Sequence, residues 1–166
     1  WSIEVGFGYA TPLLVGNKIY IYTRQNDSEV MSAIDVKDGS LVWRTAYPAP
    51  FDMSTPDVRS HGPGPKSTPV LSDGRLFSLG MSGIVSAFNV EDGRLLWQKP
   101  EQLVHPSYHT AMSPVVDGDL VIFHTGGHND GALTAYDVET GEIRWTLEGD
   151  GPAYGSPMVF NLAGVR

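Results

Sequence analysis

The sequence predicts an all-β chain built from repeated four-stranded antiparallel units, and three observations carry that prediction. A pattern recurs three times: Ala33-Ile34-Asp35-Val36-Lys37-Asp38-Gly39-Ser40-Leu41-Val42-Trp43, Ala87-Phe88-Asn89-Val90-Glu91-Asp92-Gly93-Arg94-Leu95-Leu96-Trp97 and Ala135-Tyr136-Asp137-Val138-Glu139-Thr140-Gly141-Glu142-Ile143-Arg144-Trp145. Ala, Asp or Asn, Val, Gly and Trp keep the same offsets in all three. A second element alternates with it: Thr11-Pro12-Leu13-Leu14, Thr68-Pro69-Val70-Leu71, Ser113-Pro114-Val115-Val116 and Ser156-Pro157-Met158-Val159. Finally, no stretch combines a sustained helical period with helix caps.

Within each copy the elements follow in order. Strand A starts after the Ser/Thr-Pro pair, because proline donates no hydrogen bond and is tolerated at a strand start. A turn containing Asp73-Gly74 or Asp117-Gly118 leads into strand B, the β-branched and aromatic runs Ile19-Tyr20-Ile21-Tyr22, Leu76-Phe77-Ser78-Leu79 and Leu120-Val121-Ile122-Phe123. Strand C carries Ala-x-Asp/Asn-Val. The C–D connection is Asp38-Gly39, Asp92-Gly93 or Thr140-Gly141, where glycine supplies the positive φ of a tight hairpin. Strand D ends in Trp. Four short strands repeating every 40 to 50 residues or so are the signature of propeller blades. The prediction is therefore a partial β-propeller of about three whole blades, 11–43, 68–97 and 113–145, with partial blades before (1–10) and after (156–166). Trp1 falls where the last Trp of an earlier copy belongs, and three blades do not close a ring, so the expectation is a fragment of a longer protein.

Composition narrows the function. The chain has 166 residues with 19 Asp+Glu against 11 Lys+Arg, a net charge of −8, and a sequence pI near 4.9. That balance gives no electrostatic case for binding a nucleic-acid backbone. No apolar run is long enough for a transmembrane helix. With no Cys, disulfides, thiolate nucleophiles and Cys-ligated metals are excluded from this segment.

Propeller topology sends the D–A and B–C connections to one face and the A–B and C–D turns to the other. The first set is the longer: 44–67, 98–112 and 146–155 between blades, and 23–29, 80–83 and 124–131 within them. All five histidines fall in it: His61, His105, His109, His124 and His128. Long loops on a rigid scaffold are where binding residues concentrate. The same bias also follows from loop propensity, since strands select apolar residues. His61, Lys66, His105, His109, His124 and His128 are the candidates for a face that takes a protein or small-molecule ligand. A metal on His109, His124, His128 and Asp130 is the sharper version, although His-x-x-x-His shares a face only in a helix and Gly126-Gly127 oppose one. Lys66, in Gly62-Pro63-Gly64-Pro65-Lys66-Ser67, offers a cation for a carboxylate; the segment lacks phosphate-loop spacing and reads more simply as a stiff linker into strand A.

On its recurring residues, Ala135 to Trp145 above all, the chain resembles the PQQ-like β-propeller repeat family, whose repeat reads roughly Ala-x-Asp-x-x-Thr-Gly-x-x-x-Trp. The first two copies depart from it with Asp38 and Asp92 at the Thr position, and Asn89 replaces the repeat aspartate of the second. The family includes quinoprotein alcohol dehydrogenases and an outer-membrane assembly lipoprotein. The resemblance implies a blade-docking role for Trp43, Trp97 and Trp145, and further blades of the same chain as partners. It also implies a periplasmic or secreted location and a binding or interaction scaffold. Its alternative is part of a PQQ-dependent alcohol dehydrogenase-like oxidoreductase. In those enzymes the quinone lies between a Trp and a disulfide of adjacent cysteines, beside a Ca²⁺ held by Glu, Asn and Asp. No residue of this segment marks such a site, so no cofactor is evident, and PQQ with Ca²⁺ is expected only if the missing blades supply it.

Overall fold

Each copy of the repeat folds as an antiparallel four-stranded meander. The structure, a computed structural model, describes residues 1–50, 56–100 and 108–164. The first sheet runs β1 (Leu13–Val15), β2 (Lys18–Gln25), β3 (Ser28–Asp35) and β4 (Leu41–Pro48). A short helix, α1 (Pro56–His61), precedes the second, formed by β5 (Val70–Ser72), β6 (Arg75–Leu79), β7 (Val85–Asn89) and β8 (Leu95–Lys99). The third contains β9 (Val115–Asp117), β10 (Leu120–Gly126), β11 (Gly131–Asp137) and β12 (Ile143–Gly149). This is the blade architecture of a β-propeller.

The repeat signature has a local cause in every sheet. Trp43, Trp97 and Trp145 pair across strands C and D with Ala33, Ala87 and Ala135, and the register then slips by a bulge immediately after each alanine. The bulge turns the chain into the C–D hairpin. There the repeat Asp or Asn folds back on the backbone: Asp35, Asn89 and Asp137 accept the N–H groups of Lys37, Glu91 and Glu139 through Oδ1 at 2.7–2.9 Å. Asn89 substitutes for aspartate because only an oxygen acceptor is required. At Asp137, the backbone N–H groups of Thr140 and then Glu139 hold the carboxyl below its ordinary pKa. Gly39, Gly93 and Gly141 sit at φ of +76°, +72° and +68° and return their N–H groups to Asp35, Asn89 and Asp137.

The sheets stack through two apolar cores. Tyr20, Met31, Trp43 and Tyr47 of the first sheet meet Leu76, Ile84 and Phe88 of the second. Phe77, Val85 and Trp97 of the second meet Val121, Phe123 and Tyr136 of the third. Trp43 and Trp97 are 8 % and 9 % exposed and lie in the two cores between neighbouring sheets. They stand within strand D rather than at its end, since β4 and β8 continue past them. Trp145 is 41 % exposed on the outer face of the third sheet. It holds the repeat position without a covering neighbour among the described residues.

Candidate functional site

The D–A and B–C connections do gather at one end of the three sheets, but two of the B–C links are shorter than expected. β2 runs to Gln25 and β3 starts at Ser28, so 23–29 closes as a two-residue hairpin through Asn26 and Asp27. Likewise β10 extends to Gly126 and β11 begins at Gly131. The cross-strand pairing available to Thr23, Arg24 and His124 outweighs their polar character. His124 is therefore a strand residue and not a loop residue.

At the centre of this end lies a carboxylate that the loop-based reading passed over. Glu29 is fully buried at the start of β3. Its Oε2 accepts from the Tyr22 hydroxyl at 2.6 Å and the Tyr47 hydroxyl at 2.8 Å, and the two hydroxyls lie 2.5 Å apart. Its Oε1 accepts the Met81 N–H of the second sheet at 2.7 Å and lies 3.6 Å from Arg24 Nη2. Burial, reinforced by the adjacent Glu29 charge, pushes the Tyr22 and Tyr47 hydroxyls well above their ordinary pKa of 10.0. Both phenols therefore stay protonated and act as donors. Arg24 is also held, with Nε donating to the Pro63 carbonyl at 2.8 Å and Nη1 to the Ala49 carbonyl at 2.7 Å.

From Met81 the network passes to the third blade's entry loop. His109 is buried at φ +62°, and its Nδ1 lies 3.2 Å from the Met81 carbonyl. A carbonyl only accepts, so Nδ1 carries the proton. The Thr110 hydroxyl donates to the Gly80 carbonyl. Lys66 donates to the Tyr108 carbonyl at 2.5 Å, and its partial burial lowers its pKa from the ordinary value. Around this seam the His61 ring lies 4.9 Å from that of Tyr108, and Tyr108 lies 5.9 Å from Tyr154. Buried polar contacts thus run from Glu29 through the Met81 backbone to His109, beneath a surface with an aromatic rim.

The predicted site residues are divided by this geometry. His61, Lys66 and the Tyr108–Tyr154 pair share the rim. His109 lies beneath it and serves the Met81 backbone, not the solvent face. Half-buried His124 directs Nε2 at the Asp150 carbonyl, 2.9 Å away, while His128 and Asp130 are exposed. His105 lies outside the described residues. Among the described residues no three His, Asp or Glu side chains converge as a metal site, so His109, His124, His128 and Asp130 are not brought together. The overlooked group had a signal: Glu29 is a charge directly ahead of apolar Val30 and Met31. In the pleat, Tyr22 and Arg24 share one face of β2, which places two partners on its side. Treating 23–29 as loop hid that register.

With this geometry in view, comparison with known proteins identifies relatives. Residues 26–160 match a family model described as "Outer membrane protein assembly factor BamB". Methanol dehydrogenase [cytochrome c] subunit 1 of Methylorubrum extorquens is 29 % identical over 165 residues, covering 92 % of this chain and 26 % of that protein. Outer membrane protein assembly factor BamB of Shewanella oneidensis is 29 % identical over 154 residues, covering 89 % of this chain and 36 % of that protein. Among solved structures, a europium-containing methanol dehydrogenase superimposes with a TM-score of 0.63 at 20 % identity, covering 91 % of this chain and 27 % of that one. That likeness shows the fold. The chain thus spans 26 % and 36 % of the length of these two curated relatives.

Proposed function

The chain belongs to the PQQ-like β-propeller repeat family whose model it matches over residues 26–160, and from that premise we propose that it serves as a binding and interaction scaffold. The observation that supports this reading is the Glu29–Met81–His109 seam. Glu29, His109 and Lys66, the groups best suited to chemistry at the loop end, each hold backbone in place. What they hold up is a rigid rim of His61, Tyr108 and Tyr154, with Lys66 behind it. Aromatic side chains on a fixed frame contribute large contact area at low entropic cost, which suits recognition of a protein segment or small ligand. The relative named as an outer-membrane assembly factor fits a scaffold of this kind, in an exported protein whose further blades lie in the same chain. No described helix is long and apolar enough to cross a membrane. The test is binding of candidate partners to the full-length protein, comparing wild type with Tyr108→Ala and Tyr154→Ala. The scaffold reading expects affinity to fall at least tenfold while the fold is retained; unchanged affinity for a partner that binds would refute it.

A second reading rests on the methanol dehydrogenase relatives: the segment is part of a quinoprotein dehydrogenase. The residues present do not fit the quinone, because the segment has no Cys for the disulfide cradle. The described residues also bring no three acids or histidines together for the accompanying ion. On this reading the cofactor residues lie in other blades. Incubating the full-length protein with PQQ and Ca²⁺ and following dye reduction by an alcohol separates the two: turnover supports the enzyme, and failure to bind quinone removes it.

A further inference from the structure

Lys66 is a half-buried cation that meets no acid among the described residues. The chain has a net charge of −8, and Lys18, Arg24, Arg75 and Arg144 each lie 2.8–3.6 Å from a carboxylate. Lys66 Nζ instead donates to the Tyr108 carbonyl, and burial lowers its pKa with no acid opposing the change. The root of this side chain is fixed through the backbone. The Pro63 carbonyl accepts Arg24 Nε–H at 2.8 Å, and the Pro65 carbonyl accepts the N–H groups of Tyr9 at 2.8 Å and Ala10 at 3.1 Å. Gly64 between them packs so tightly that a Cβ would come within 2.4 Å of the Gly8 nitrogen. Tyr108 then ties the ammonium to the rim. Its own N–H donates to the Tyr154 hydroxyl at 3.2 Å, and its ring lies beside His61 and edge-on to Tyr154. An ammonium carries three N–H donors, so two remain after the Tyr108 carbonyl is served. Taking a cation out of water is unfavourable until a counter-charge joins it.

From this placement we propose that the loop end takes a ligand bearing a single carboxylate, with the carboxylate on Lys66 Nζ and an aromatic or apolar body across His61, Tyr108 and Tyr154. A neutral ligand would leave the ammonium desolvated and unpaired. A polyanion is repelled by the net charge of −8, and Lys66 offers one positive charge against it. The exposed rings of His61 and Tyr154 supply contact area for the body of the ligand. The inference rests on the reading of the loop end as a binding surface and adds the group that is recognised there. It calls for no redox group, so it holds whether or not other blades carry a quinone. A small acid and the chain terminus of a protein present the same carboxylate.

The experiment titrates the full-length protein with two matched pairs: N-acetylphenylalanine against its amide, and a short peptide ending in phenylalanine against its C-terminal amide. Within each pair only the carboxyl group differs. The acid of at least one pair is expected to bind about tenfold tighter than its amide. The pair with the tighter acid identifies the source, small acid or chain terminus. Lys66→Gln keeps an N–H donor for the Tyr108 carbonyl and abolishes the preference, whereas Tyr154→Ala weakens acid and amide alike. The wild type gives a check that needs no variant: raising salt from about 0.05 M to about 0.5 M weakens the acid and leaves the amide unchanged. Four outcomes overturn the inference: equal affinity of acid and amide, no binding by either pair, a preference that survives Lys66→Gln, or phenyl phosphate binding more tightly than benzoate. The scaffold reading fails separately, when a partner protein binds Tyr108→Ala and Tyr154→Ala as tightly as the wild type.

Discussion

The Glu29 carboxylate of the first sheet receives the backbone N–H of Met81 in the second, 2.7 Å away, inside a fully buried cluster. The close approach depends on Gly80, where a Cβ would overlap the carboxylate. Such an arrangement makes Glu29 the keystone between two blades. Glu29→Ala leaves Arg24 charged and buried and strands the Met81 N–H, so the expected loss is about 3–5 kcal/mol. Chemical denaturation measures it. Lys18→Ala, which breaks an ion pair to an exposed Glu91, serves as the comparison and should cost far less.

The blade-docking tryptophans give a second prediction. Trp97 is buried, packs at a tilt against Phe77, stacks on Tyr136, and donates to the Val138 carbonyl. Trp97→Ala should cost about 3–5 kcal/mol. A near-neutral result in thermal or urea unfolding would contradict the docking described above.

Two glycines of similar φ separate backbone strain from packing. At Gly93 (φ +72°) a Cβ would strike the Trp43 ring, whereas at Gly118 (φ +60°) it meets nothing within 4 Å. Gly118→Ala should therefore cost only the left-handed backbone term, about 1–2 kcal/mol. Gly93→Ala should add displacement of Trp43 and cost at least 1 kcal/mol more. Parallel denaturant titrations of the two variants provide the check.

The buried phenols predict the alkaline limit of stability. Tyr22 and Tyr47 have folded-state pKa values well above 10.0, because burial and the Glu29 charge oppose ionisation. A raised folded pKa means the native state holds these protons more tightly. The contribution is complete below about pH 10 and is lost as pH rises above it. Tyrosinate absorbance at 295 nm should show two phenols ionising only with unfolding, and Tyr22→Phe should shift the alkaline midpoint.

His109 and His124 should behave differently under substitution. His109→Ala removes a buried donor to the Met81 carbonyl and should cost about 1–3 kcal/mol. His124→Ala, at a half-buried position, should cost less than 1 kcal/mol. Melting curves of the two variants distinguish a histidine that supports the surface from one at its edge.

The blades themselves were legible in the sequence because their determinants are local. The Ala–Trp pair, the bulge, the Asp or Asn turn and the positive-φ glycine all act within a single hairpin, so residue identity and spacing suffice. The Ser/Thr-Pro starts were visible too, although the hydrogen bonds joining the N–H of one start to the hydroxyl of the next were not, since the partners lie 43 to 57 residues apart. The loop end was legible only in outline. His61 and Lys66 do reach the rim, but the burial of His109 and its bond to Met81 depend on how two neighbouring blades meet. Glu29 is the clearest case. Sequence marks it as a charge beside apolar residues, and only the stacking of two sheets brings Tyr22, Tyr47, Arg24 and Met81 around it. Short-range hydrogen bonding and backbone sterics thus determine the repeat. The balance of desolvation against long-range hydrogen bonds, which needs the assembled arc, decides which polar groups are buried and which remain on the surface.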